Sequence, residues 1–121
     1  MTFADVRRIG LELPDVEVGT TYGTPALKVH GKMFVCIASN KQAEKDTLVV
    51  LMDFAQRDAL IAEEPDTYYL KEHYVGYPCV LVRLARVHPD ALRDLVRGAC
   101  RFVSTRAVRK KRATPYTSRR A

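Results

Sequence analysis

Apolar residues at the start of the chain follow a helical spacing. Phe3, Val6, Ile9 and Leu13 recur at intervals of three, three and four, which predicts a helix over about Phe3–Leu13 with one apolar stripe. Thr2 can cap its free amides, with Asp5 three residues on, and Pro14 ends it. The period then changes to two. Leu27 and Val29 alternate with Lys28 and His30 in a strand Ala26–His30. Gly31-Lys32 suits a two-residue hairpin turn, since Gly accepts positive φ at the first turn position, and Met33–Ala38 returns antiparallel. Asn40–Lys45 is a polar loop. Asp46–Met52 is apolar on both faces through Leu48, Val49, Val50 and Leu51, as a central strand should be.

Asp53 followed by Gln56 is a second capping-box pattern and predicts a helix Phe54–Glu63, stopped by Glu64-Pro65-Asp66. Thr67–Lys71 reads as a strand and Glu72–Pro78 as a loop. Cys79–Ala85 alternates, with Val80, Val82 and Leu84 on one face and Cys79, Leu81, Arg83 and Ala85 on the other. Pro89 opens the last helix, favourable where its missing amide would go unpaired. Leu92, Leu95, Val96, Ala99 and Val103 form its buried stripe, and it extends to about Arg109. The order α-β-β-β-α-β-β-α predicts one α+β domain over residues 1–109, a two-layer fold with a five-stranded, mainly antiparallel sheet and three helices on one face. The opposite face is expected to be partly open. Lys110–Ala121 has no packing pattern and is expected to be a mobile basic tail.

Composition agrees with one ordinary globular domain: 121 residues, 47% hydrophobic and 28% charged. No apolar run approaches the roughly 18–20 residues of a membrane span. The first residues lack the basic-then-apolar order of a signal peptide. Cys36, Cys79 and Cys100 are odd in number and form no CxxC, so reduced thiols in a cytoplasmic setting are expected.

Charge changes the picture more. Residues 1–100 hold 12 Lys/Arg against 14 Asp/Glu, whereas residues 101–121 hold eight Lys/Arg and no acid. The net charge of +6 therefore resides at one end. Such asymmetry points to a polyanion, most often nucleic acid, or to a solvating tail.

Recognisable catalysis is absent from the pattern. Tyr22-Gly23-Thr24-Pro25 lacks both phosphate-loop patterns and precedes a strand, so it reads as a chain reversal. His30, His73 and His88 show no ligand spacing with each other or with the cysteines, so neither a metal nor a cofactor is expected. Cys36 and Cys79 fall in strands, where a thiol behaves as a small apolar side chain.

Two long segments carry a resemblance: LPDVEVGTTYGTPALKVHGKMFVCIA (13–38) and EEPDTYYLKEHYVGYPCVLVRLARVHPDALRDLV (63–96), with the arginine-containing end of the last helix. Through its GTPA-x-KV-x-GKMF and PD-x-YY…HY-x-GYP-x-VLVRL motifs the chain resembles the MmcQ/YjbR family over roughly residues 3–112. The resemblance implies an α+β fold like that of type III secretion chaperones. It also implies a DNA-binding label, without catalytic residues to carry over.

The resulting expectation is a non-enzymatic protein that binds double-stranded DNA with weak or no sequence specificity. Lys28 and Arg83, on the strand face opposite the apolar rows, would contact phosphates together with a ridge of Arg97, Arg101, Arg109, Lys110, Lys111 and Arg112. Acids such as Glu44 or Glu72 interrupting that patch would remove most of its support. His73, Tyr74 and Tyr77 form a candidate functional loop, able to stack on bases or meet a partner, or else to finish the core. The alternative is a protein-interaction or chaperone-like module using the open sheet face, with Phe34 and Tyr69 as anchors.

Overall fold

Two tight reversals set the first half of the sheet. Tyr22 and Gly23 take φ of 51° and 80°, and His30 and Gly31 take 52° and 76°. Positive φ at both central residues defines the hairpin turn whose twist matches that of the flanking strands. The second turn is thus His30-Gly31, one residue earlier than the sequence pattern suggests. The reversals join β1 (Val16–Thr21) to β2 (Thr24–Val29) and β2 to β3 (Lys32–Ile37). β4 (Thr47–Leu51), β5 (Tyr68–Tyr69) and β6 (Cys79–Arg83) complete one sheet in the order β1-β2-β3-β4-β6-β5, every pair antiparallel. The expected five strands are therefore six. β1 is the addition, an edge strand whose partners lie on one side only.

The fold comes from a computed structural model that describes the backbone of residues 1–120 and the side chains of residues 1–106. The helices are α1 (Phe3–Leu11), α2 (Phe54–Glu63) and α3 (Pro89–Arg120). The Asp5 carboxylate accepts from the Thr2 amide at 2.9 Å, the return half of the expected box, whereas the Thr2 hydroxyl donates to Asp5 and makes no cap bond to a helix amide. Asp53 accepts from the Gln56 amide at 2.8 Å, so the second cap forms as expected. α3 continues past its expected end near Arg109. Among the described residues no helix is long and apolar enough to cross a membrane.

α1 and α3 pack on one face of the sheet, over a core that includes Leu27, Phe34, Leu48, Val50, Val80, Val82, Leu92 and Val96. A bulge between Leu27 and Lys28 lets both Phe34 and Val35 join that core. α1 sits so close that a methyl group at Gly10 would collide with Leu27 Cδ1. The opposite face is not open. Ala26, Cys36, Val49, Cys79 and Leu81 line it, and Tyr69 and Tyr74 close over them with Met33 and Ala43 at the margin. Phe34 is fully buried in the main core and Tyr69 is 7% exposed, so neither can anchor a partner from a sheet surface.

Candidate nucleic-acid interface

The basic residues named above divide between the two faces. Leu27 and Val29 point into the helix-side core, which places Lys28 on the other face, and the same alternation places Arg83 there beside Leu81. α3 covers the helix side. Lys28 on β2 and Arg83 on β6 are also three strand spacings apart, roughly 14 Å. One continuous patch of Lys28, Arg83 and the last helix is therefore not formed.

Arg83 is occupied as well. Its Nε and Nη2 donate to the two Glu44 carboxylate oxygens at 3.0 and 2.7 Å, and its Nη1 donates to the carbonyls of Pro65 and Asp66, each at 3.0 Å. The guanidinium lies 4.2 Å from the centre of the Tyr69 ring. Hydrogen bonding from Arg83 holds the Glu44 carboxyl below its ordinary range, and Glu44 in turn raises the pKa of Arg83. This arrangement ties the 38–46 loop to β6 and the chain before β5. Glu44 thus interrupts the expected patch, which removes most of that patch's support for DNA binding. Arg83 leaves the set of phosphate-binding candidates, and only the helix side still carries the reading.

The helix side keeps its free cations. Arg97 and Arg101 are exposed on α3, and among the described residues neither forms an ion pair. Arg93, one turn earlier on the same ridge, instead donates to Glu12 at 2.9 Å and fastens α3 to the end of α1. A shallow groove runs between the start of α2 and α3, lined by Asp53, Gln56, Asp94, Arg97, Arg101, Phe102 and Arg106. Arg106 stacks on Phe102 at 5.2 Å and adds to this groove a cation that the expected ridge of Arg97, Arg101 and Arg109 does not include. Arg109, Lys110, Lys111 and Arg112 lie outside the residues whose side chains are described.

The aromatic loop splits. Tyr74, in a short 3-10 turn Glu72–Tyr74, is buried in the smaller core, where burial raises its pKa. His73 is exposed, edge-on to Tyr74 at 4.9 Å between ring centres, and Tyr77 is 58% exposed. Arg57, a buried arginine that no sequence spacing marked, holds this loop. Its Nη1 donates to the Val75 carbonyl at 3.0 Å and reaches the Tyr77 carbonyl at 3.5 Å. Its guanidinium also stacks on Phe54 at 4.7 Å.

Among the described residues no nucleophile stands out. Burial pushes the Cys36 and Cys79 thiols up to about 11, the opposite of activation. Among the described residues no three His, Cys, Asp or Glu side chains gather closely enough to hold a metal ion.

The class these features define is a small α+β domain, an antiparallel sheet with one helix-covered and one loop-covered face, whose last helix is basic. The chain belongs to the YjbR family, whose model matches residues 11–101. That match stops as the basic segment begins. The fold is similar to that of a Deinococcus radiodurans protein, DR2400, with a DUF419 domain, at a TM-score of 0.65 and 21% identity over 81% of this chain and 75% of that one. Uncharacterised proteins of Mycobacterium tuberculosis and Mycobacterium bovis are 43% identical over 51 residues, 42% of this chain. That match spans 40% of the length of those relatives.

Proposed function

We propose that the protein is a non-enzymatic, cytoplasmic DNA-binding protein of weak or no sequence specificity, contacting phosphates through the outer face of α3 and the basic segment that follows. The observation that carries this reading is the helix side: Arg97 and Arg101 are exposed and, among the described residues, without carboxylate partners, and the segment 101–121 that follows holds eight cations and no acid. Cations of this kind bind the duplex backbone by releasing its counterions and read no base edges. Asp53 and Asp94 flank the same groove, which supports a weak interaction and an outward-facing contact. Lys28 and Arg83 have no part in it.

Fluorescence anisotropy with a random duplex, titrated at two salt concentrations, tests the reading. Binding that weakens steeply with salt and varies little between duplex sequences is expected. A full-length chain that binds no duplex at low salt would sink it. The protein-interaction reading would then come first, moved from the sheet face to the exposed Phe54, Val75 and Tyr77, which surround the buried Arg57.

A further inference from the structure

The two edges of the sheet differ. β5 is a two-residue strand with both tyrosines buried, whereas β1 presents a free edge along all of Val16–Thr21. Free edges are ordinarily blunted by lysine, proline, a bulge or a cover. β1 contains no lysine and no proline, and its register with β2 runs unbroken from Val16↔Val29 to Thr21↔Thr24. Val18 is 46% exposed in the middle of it, and so is Leu11 on α1, the helix that packs against β1.

Lys28 says what fits this edge. It stands opposite Glu17 within the chain's own sheet, yet no ion pair joins them. Its side chain instead runs over Gly19, with Cε and Nζ 3.4 and 3.8 Å from where a β-carbon of that residue would lie. The ammonium group thus lies over Gly19 of β1, the edge strand, where any larger side chain would obstruct it.

We infer that β1 pairs with β1 of a second copy of this chain, antiparallel about a two-fold axis at Val18, extending the sheet across the dimer. A two-fold axis perpendicular to the sheet keeps both helix layers on one side and requires that positions of like parity oppose one another. With the axis at Val18, the two Val18 side chains meet, Val16 faces Thr20, and Glu17 of each copy faces Gly19 of the other. There it meets the Lys28 ammonium, so two carboxylates and two ammonium groups are matched by one register. Centring on Gly19 would set Glu17 against Thr21 and leave Lys28 without a carboxylate. Centring on Glu17 would oppose like charges.

Sedimentation velocity on the full chain without DNA tests this independently of any nucleic-acid role. The wild-type chain is expected to dimerise. Val18→Lys should be monomeric yet folded, melting like wild type diluted below its dimerisation range, because the side chain it replaces is already half exposed within one chain. Glu17→Lys and Lys28→Glu should each weaken self-association by roughly tenfold, since like charges then face each other across the axis. Mixing those two variants should restore a dimer, because every cross-axis pair is again opposite in sign while each chain's own pair stays alike. That last result separates pairing between copies from pairing within one. A wild-type chain that stays monomeric near millimolar concentration, or a mixture that associates no better than its components, overturns the proposal.

Discussion

The two faces of the sheet are closed by different means. On the helix side, large aliphatic side chains and Phe34 interlock with stripes from α1 and α3, so cohesion comes from apolar area and volume. On the loop side a smaller cluster, with two cysteines and two tyrosines, is closed by polar contacts. Tyr69 Oη accepts from the Glu44 amide at 2.9 Å and shares a hydrogen with Thr47 Oγ1 at 2.6 Å, and Arg83 binds Glu44 from the same loop. The face closed by volume leaves Arg97 and Arg101 of its helix without an ion pair among the described residues. The face closed by charge consumes the arginine that stands on it. A cation on a strand therefore says little about ligand binding until its partner is known.

Core substitutions on the helix side should show the largest effect. Phe34→Ala is expected to cost about 3–5 kcal/mol in urea unfolding, because a fully buried ring leaves a cavity between α3 and the sheet. A loss below about 1 kcal/mol would mean that this face can collapse around the gap, and that volume is not what holds it.

Tyr69→Phe should cost less, about 1–3 kcal/mol, by leaving the buried Thr47 hydroxyl and the Glu44 amide without their shared partner. An unchanged stability would show that the loop is closed by its apolar contacts alone.

Glu44→Gln is the smallest change and has a distinct pH signature. The folded-state pKa of Glu44 lies below its unfolded value, so its stabilisation is present above the unfolded value and lost as pH falls through the folded one. The variant should be less stable than the wild type near pH 7, and the gap should close as acid below the ordinary carboxylate range protonates Glu44 in the folded chain. A gap that persists undiminished in acid would assign the effect to something other than the Arg83 contact.

Local signals were legible in the sequence wherever the cause is local. The Asp53–Gln56 cap fixed α2 at Phe54–Glu63, and the doubly apolar Leu48–Leu51 run identified the central strand. β1 was missed because an edge strand can be stable with few apolar residues; Val16–Thr21 carries Glu17, Gly19 and two threonines and is held chiefly by its pairing with β2. The hairpin turn falls one residue earlier than the pattern suggests because glycine marks positive φ in a sequence more plainly than His30 does, although histidine enters that region more often than most side chains. The site residues were less legible. Arg83 and Glu44 are 39 positions apart, and Arg57 reaches carbonyls 18 and 20 residues away. Neither pairing leaves a periodic trace, so charge read along the chain assigned Arg83 to a ligand when the fold assigns it to a loop.

The division between spent and unspent cations makes the most direct test of the DNA reading a comparison of faces. Duplex affinity would be measured against salt for the wild type, for Arg97→Gln/Arg101→Gln on α3, and for Lys41→Gln/Lys45→Gln on the loop side. If both helix arginines meet phosphates, the first variant should bind more weakly and its log–log salt slope should fall in magnitude by about two, with folding unchanged. The loop-side variant should match the wild type. Equal losses from both variants, or a helix variant indistinguishable from the wild type, would contradict the assignment of DNA contact to α3.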